Sequence, residues 1–208
     1  MKTKQVLIMC CLLLFGQQAF SQAELAIGIK AGPNFATIDT ESSAAANYKN
    51  RAGFHGGAFV LVKAAKFGIQ PEIIFSQQGS KVEINSQNFE SNFSYVNIPV
   101  IIKLYTIAGI NIQAGPQFGF VTNAEQPIQD QLNPGSYRVQ DVKDKMKSSD
   151  FTVALGLGWD LPFGLTIDAR YNMGLSKIYD DAPSQQTEDA KNQVFQVSLG
   201  YKLIKLGK

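Results

Sequence analysis

Hydrophobic and polar residues alternate along most of the chain with a period of two, which predicts strands rather than helices. Eight stretches carry the pattern: 24–37, 52–62, 67–78, 93–105, 108–121, 151–161, 165–176 and 194–203. In the third, Phe67, Ile69, Ile73 and Phe75 share one parity, and Gly68, Gln70, Glu72 and Ser76 the other. The sixth sets Phe151, Val153, Leu155, Leu157 and Trp159 against Thr152, Gly156, Gly158 and Asp160. The fifth, seventh and eighth repeat the scheme, with Ile110, Ile112, Phe118 and Phe120, then Ile167, Tyr171 and Met173, then Phe195, Leu199 and Tyr201 on the bulky side. In the fourth, Val96, Ile98, Val100, Ile102 and Leu104 oppose Asn97 and Lys103. Phe54, Gly56, Ala58 and Val60 alternate with His55, which puts His55 on the polar face of the second.

The connections alternate as regularly. Lys63-Ala64-Ala65-Lys66, Thr106-Ile107 and Pro162-Phe163-Gly164 are tight turns, whereas 38–51, 79–92, 122–150 and 177–193 are long and polar. An up-and-down barrel with short periplasmic turns and longer outer loops has this rhythm, and a soluble sandwich does not require it. Both chain ends are then expected on the periplasmic side.

Which face looks inward follows from volume. A barrel of eight strands encloses only enough space for side chains to fill it. The Phe, Leu and Ile set would overcrowd that space, while Gly, Ser and Gln fit. Apolar-out and polar-in is the arrangement of a barrel in lipid. Phe54, Phe75, Phe120, Phe151 and Phe195 fall near the loop ends of their strands, and Phe67, Trp159 and Tyr201 near the turn ends, as two interfacial girdles would. The expected fold is an all-β, eight-stranded antiparallel up-and-down transmembrane β-barrel.

The first residues read differently. Lys2 and Lys4 precede an apolar run from Val6 to Phe15, shorter than the roughly 20 residues of a spanning helix. Ala19 and Ser21 then supply the small residues of a cleavage site. Residues 1–21 are expected to be a cleaved signal peptide, and 22–208 the barrel domain. Both cysteines, Cys10 and Cys11, lie in the leader, so disulfides, thiolate metal sites and cysteine nucleophiles are excluded from the mature chain. Of the 19 basic residues, Lys2 and Lys4 also lie there, so 17 remain against 17 acidic ones. A balanced, scattered charge gives no sign of nucleic acid as a partner. After Phe15 no apolar run is long enough for a spanning helix, so a membrane location requires a closed barrel.

Pro33, Pro71, Pro99 and Pro116 all fall inside predicted strands, where each should remove a ladder hydrogen bond. Several strands carry a resemblance. Ile27-Gly28-Ile29-Lys30-Ala31-Gly32-Pro33-Asn34-Phe35 resembles the opening strand of the PorT-like outer-membrane β-barrel family. Gln70-Pro71-Glu72-Ile73-Ile74-Phe75-Ser76-Gln77-Gln78-Gly79 is similar to its third strand, and Tyr95-Val96-Asn97-Ile98-Pro99-Val100-Ile101-Ile102-Lys103 to its fourth. Ala114-Gly115-Pro116-Gln117-Phe118-Gly119 and Val197-Ser198-Leu199-Gly200-Tyr201-Lys202 match as well. Such chains usually end on an aromatic residue, where this one has Leu203 followed by Ile204 to Lys208. The resemblance implies the fold and an outer-membrane location. It implies no single activity; the branch that gives the family its name assists protein secretion.

The chemistry expected of such a chain is sparse. His55 is the lone histidine, and no G-x-S-x-G is present. No cofactor is expected and no enzyme. Acidic residues around Asp130 and at Asp180-Asp181 lack the D-x-D-x-D-G spacing of a calcium loop. The inward charges are more informative. Glu72, Lys103, Asp160, Asp168 and Arg170, with Lys30 and Lys202, can all reach the lumen, where unpaired charges are costly. They are expected to form a structural network that fills the barrel. The expected function is a monomeric structural or interaction barrel, in contact with outer-membrane lipid and the barrel-insertion machinery, with a protein partner met through loop 122–150 and a role in secretion or envelope assembly. A small pore or transporter is the alternative.

Overall fold

The computed structural model describes residues 23–39, 48–78, 80–84, 87–129, 137–145, 147–176 and 191–207. The expected signal peptide, Asp130, Asp180 and Asp181 lie outside the described residues. The strands in chain order are β1 (Ala23–Asp39), β2 (Tyr48–Ala64), β3 (Phe67–Gln78), β4 (Ser80–Ile84), β5 (Gln87–Glu90), β6 (Asn92–Tyr105), β7 (Ile110–Gln129), β8 (Tyr137–Asp141), β9 (Ser149–Asp160), β10 (Leu165–Gly174) and β11 (Lys191–Leu206).

Eight of them, β1, β2, β3, β6, β7, β9, β10 and β11, form one antiparallel circuit. It closes because β1 pairs with β2 on one side and with β11 on the other. Closure leaves the wall without a free edge, which a sheet in hydrocarbon requires. The three tight turns stand at one end. Ala23 and Leu206 stand there too, since Ala23 pairs with Ala64 and Leu25 with Leu206. Positive φ at Ala65, Ala108, Gly109 and Gly164 lets the chain reverse in these few residues.

Parity decides burial along each wall strand. In β3, exposed Phe67, Ile69, Ile73 and Phe75 alternate with buried Gly68, Gln70, Glu72 and Ser76. Strands β6, β7, β9, β10 and β11 alternate likewise, with an apolar outer belt and an interior that is mainly polar but also takes Phe93, Tyr95, Ile101 and Tyr105 of β6.

The prolines fit because each interrupts only one of its two ladders. In an antiparallel strand the N–H and C=O of a residue point to the same neighbour, so a missing N–H leaves the other side intact. Pro71 keeps its register with Val100 of β6, while the β2–β3 ladder jumps from the Phe59–Glu72 pair to Val62–Ile69. Pro99 pairs with Gln117, and the β3–β6 ladder skips beside it. Pro116 pairs with Val153, and the gap falls in β6–β7. Pro33 pairs with Phe54, and the gap falls in β1–β11.

The long polar connections differ from expectation in one respect: they are partly strand. Stretch 79–92 contains β4 and β5, β7 runs on to Gln129, and β8 lies within 122–150. Tyr48–Asn50 of β2 pairs with Ser80–Val82 of β4, β4 pairs with β5, and Glu125–Gln129 of β7 pairs with β8. Beyond the aromatic ring no lipid imposes an apolar parity, so the sequence signal fades while the backbone ladder continues.

Candidate functional site

The lumen holds the concentrated chemistry. At its turn end, Lys202 Nζ donates to Glu24 Oε1 at 2.8 Å and lies 3.0 Å from Asp160 Oδ2. Tyr105 Oη donates to the same Asp160 oxygen at 2.9 Å, and Lys103 Nζ sits 3.3 Å from Asp160 Oδ1. Lys103 also reaches Asp168 Oδ1 at 3.6 Å, which joins the turn end to the middle of the barrel.

In the middle, Arg170 grips Glu72 with two parallel bonds, Nη1 to Oε2 at 2.9 Å and Nη2 to Oε1 at 2.7 Å. This bidentate geometry matches the planar guanidinium to the carboxylate. Gln70 donates to Glu72 Oε1 at 2.7 Å, and Arg170 Nε donates to Gln113 Oε1 at 2.6 Å. Lys30 Nζ is 2.9 Å from Asp168 Oδ2 and 3.6 Å from Glu72 Oε1. Four buried cations, Lys30, Lys103, Arg170 and Lys202, therefore face four buried carboxylates, Glu24, Glu72, Asp160 and Asp168. Such charges are tolerable in a low-dielectric interior because each is paired and hydrogen-bonded.

Space for the network comes from glycine. A Cβ on Gly158 would lie 2.1 Å from Gln113 Nε2 and 2.6 Å from Asp168 Oδ1. A Cβ on Gly28 would lie 2.4 Å from the Phe59 ring, which packs inside the barrel with Leu61 and Ala26. One side of the inner lumen is thus apolar and the other ionic.

The outer half is built mainly from neutral groups, with buried Asp150 at the loop end of β9 accepting from Ser176 Oγ. His55 Nε2 and Ser198 Oγ share a hydrogen bond at 2.7 Å, Asn34 Nδ2 donates to Ser76 Oγ at 2.8 Å, and Asn172 Nδ2 donates to Gln196 Oε1 at 2.8 Å. Polar atoms without a hydrogen-bond partner among the described residues gather here: Asn34 Oδ1, His55 Nδ1, Asn97 Nδ2, Thr152 Oγ1, Asn172 Oδ1 and Gln196 Nε2.

Glu72, Lys103, Asp160, Asp168 and Arg170 all meet in one connected cluster, with Lys30 and Lys202 beside them. Glu24, Gln70, Tyr105 and Gln113 belong to it too, and sequence reading missed Glu24 and Tyr105. Glu24 has the parity of Lys30, so the alternation already contained that signal. His55 pairs with a serine, and among the described residues no acid meets its Nδ1 as the orienting member of a catalytic triad would. Among the described residues no group of three or more His, Cys, Asp or Glu is placed to hold a metal ion.

A closed antiparallel barrel with an apolar belt and a polar interior defines an integral membrane protein of the bacterial outer membrane, with periplasmic chain ends. Residues 15–180 match the family described as outer membrane protein beta-barrel domain, and the chain belongs to that family. It is an outer-membrane barrel, and it shares with such barrels their lipid environment and insertion machinery. No curated protein sequence matches it. Among solved structures it is similar to neisserial surface protein A, with a TM-score of 0.53 and 10% identity, covering 85% of this chain and 97% of that one. It is also similar to Ail, the attachment invasion locus protein of Yersinia pestis, in complex with the heparin analogue sucrose octasulfate. That likeness has a TM-score of 0.50 and 15% identity, and covers 89% of this chain and 99% of Ail. At these identities the likeness is one of fold.

Proposed function

We propose that the chain is a sealed barrel that anchors an interaction surface on the outer side of the membrane. The ion network across the lumen carries this reading, because eight paired charges occupy the space a solute would need. The strands that outrun the barrel supply the surface. Strands β4, β5 and β8 extend it beyond the aromatic ring, and Arg138, Val139, Gln140 and Asp141 of β8 are all exposed. The role of the network is then structural: it fills and stiffens the barrel. A barrel of the same architecture bears the name of an attachment protein in Ail, in keeping with a role at the surface. Resemblance to the PorT-like branch favours a partner in secretion or envelope assembly, met through 122–150. The mature chain begins at Gln22 in this reading, which leaves β1, starting at Ala23, complete.

Two measurements test this. The purified barrel in planar bilayers should give no stable single-channel current, and large currents in the wild type would replace the sealed barrel with a pore. A photo-cross-linker at Asn123, exposed at the outer end of β7, should capture in intact cells a protein that is lost when 130–148 is deleted. Retention of that product after the deletion would place the partner elsewhere.

A further inference from the structure

The charges of the lumen balance in its middle and not at its turn end. In the middle, Arg170 and Lys30 answer Glu72 and Asp168, one cation for each carboxylate. At the turn end the carboxylates are Glu24 and Asp160, and each is already shared. Glu24 lies 2.8 Å from Lys202 Nζ and 3.7 Å from Lys205 Nζ. Asp160 lies 3.0 Å from Lys202 Nζ and 3.3 Å from Lys103 Nζ. Lys63 adds a further ammonium, 4.1 Å from the centre of the Tyr105 ring, and it forms no ion pair among the described residues. Four cations, Lys63, Lys103, Lys202 and Lys205, thus meet two carboxylates.

These groups border a cavity of about 360 Å³. Glu24 comes from β1, Lys63 from β2, Asp160 from the end of β9, and Lys202 and Lys205 from β11. Gly109, in the turn between β6 and β7, completes the ring. Strands so far apart around the circuit meet only across its axis, so the cavity is the periplasmic mouth of the lumen. It is entered past the turns, without crossing the wall. Both surplus ammoniums face it. Lys63 has the inward parity of Phe59 and Leu61 and rests on Tyr105, a buried ring whose Oη donates to Asp160. Lys205 reaches over buried Glu24.

Like charges gathered at the edge of a low-dielectric interior repel one another, and a counter-anion relieves them. A chloride or a carboxylate brings one negative charge. A phosphate monoester brings about −1.5 to −2 near neutral pH, with three oxygens that accept from lysine. Its charge matches the surplus. Leu161 and Pro162 give the cavity an apolar side, which suits the organic part of a phosphorylated molecule.

We infer that the periplasmic mouth of the barrel binds a phosphate group between Lys63 and Lys205, carried by a small soluble molecule or by a lipid of the periplasmic leaflet. The inference is independent of the outer surface.

Trp159 also borders the cavity, and it is the lone tryptophan of the chain. Its Nε1 donates to Ala108 O at 3.0 Å, so its indole resonance reports on this end of the barrel. The full barrel, labelled with ¹⁵N at tryptophan, is folded in dodecyl maltoside micelles and titrated with inorganic phosphate at constant ionic strength. A second titration adds phosphatidic acid to the micelles. A saturable Trp159 shift with inorganic phosphate supports a soluble ligand, and one with phosphatidic acid alone supports a lipid. Lys63→Gln and Lys205→Gln should each weaken binding about tenfold, as the loss of one charge-assisted bond does. Lys66→Gln, which removes an exposed charge from the turn next to Lys63, should leave it unchanged. Heat-modifiable gel mobility shows that each variant folds. No shift with either phosphate, an equal shift with chloride, or binding that survives both Lys63→Gln and Lys205→Gln would each overturn the site.

Discussion

The two halves of the lumen treat polarity in opposite ways. Toward the turns the polar groups are charged, and each buried charge has a partner: Lys202 with Glu24, Lys103 with Asp160, Lys30 with Asp168, Arg170 with Glu72. Toward the loops they are mainly neutral amides, hydroxyls and one imidazole, Asp150 being a buried carboxylate that accepts from Ser176 Oγ, and six buried side chains keep an atom without a partner among the described residues. The energetics account for the difference. An unpaired neutral group costs a few kcal/mol at most and can be satisfied by water or a ligand, whereas an unpaired ion in the same place is far more expensive. The charged half is therefore built as a closed framework, and the neutral half can stay adaptable.

The largest effect should come from opening the framework. Glu72→Ala leaves the Arg170 guanidinium without its bidentate partner, and removing one member of a buried pair costs about 3–5 kcal/mol. Equilibrium urea unfolding from micelles should record that loss, with no gain of channel current. A midpoint equal to that of the wild type would mean the network adds nothing to stability. Replacing both partners, with Glu72→Gln and Arg170→Met, should recover part of the loss, because no uncompensated ion remains.

A smaller loss is expected from crowding rather than removal. Gly158→Leu places atoms where Gln113, Asp168 and Asn111 meet, and overpacking of this kind costs about 1–3 kcal/mol. The same gel-shift and unfolding assays read it. If Gly158→Leu were as stable as the wild type, the inner lumen would be looser than the distances show.

The outer half should give the smallest effect and the opposite sign. Thr152→Val removes a buried hydroxyl that bonds to nothing among the described residues, so stability should stay within about 1 kcal/mol of wild type and lean toward gain. A loss as large as that of Glu72→Ala would show that the two halves are built alike after all.

Much of the wall was legible because lipid imposes a simple rule on it. Phe67, Ile69, Ile73 and Phe75 had to share a face, and Glu72 had to take the other. The same parity places Phe59 and Leu61 inside the barrel, although their chemistry argues for the outside, and only Gly28 opposite Phe59 explains how the ring is accommodated. Partners across the lumen were not legible. His55 and Ser198 are 143 residues apart, and their meeting depends on closure and register, which no local pattern encodes. The strands beyond the membrane were missed for the reason the wall was found: with water on both faces, no alternation is required of β4, β5 or β8.

Closure by β1 and β11 has a consequence in time. Leu25 can pair with Leu206, and Lys30 with Asp168, only after nearly the whole chain has been delivered. Contacts so distant in sequence form slowly, and the first strands must wait with their apolar faces uncovered and their charges unanswered. A protein of this design depends on being held unfolded until its last strand arrives. Its assembly is a single late event, with the seam as the final stitch.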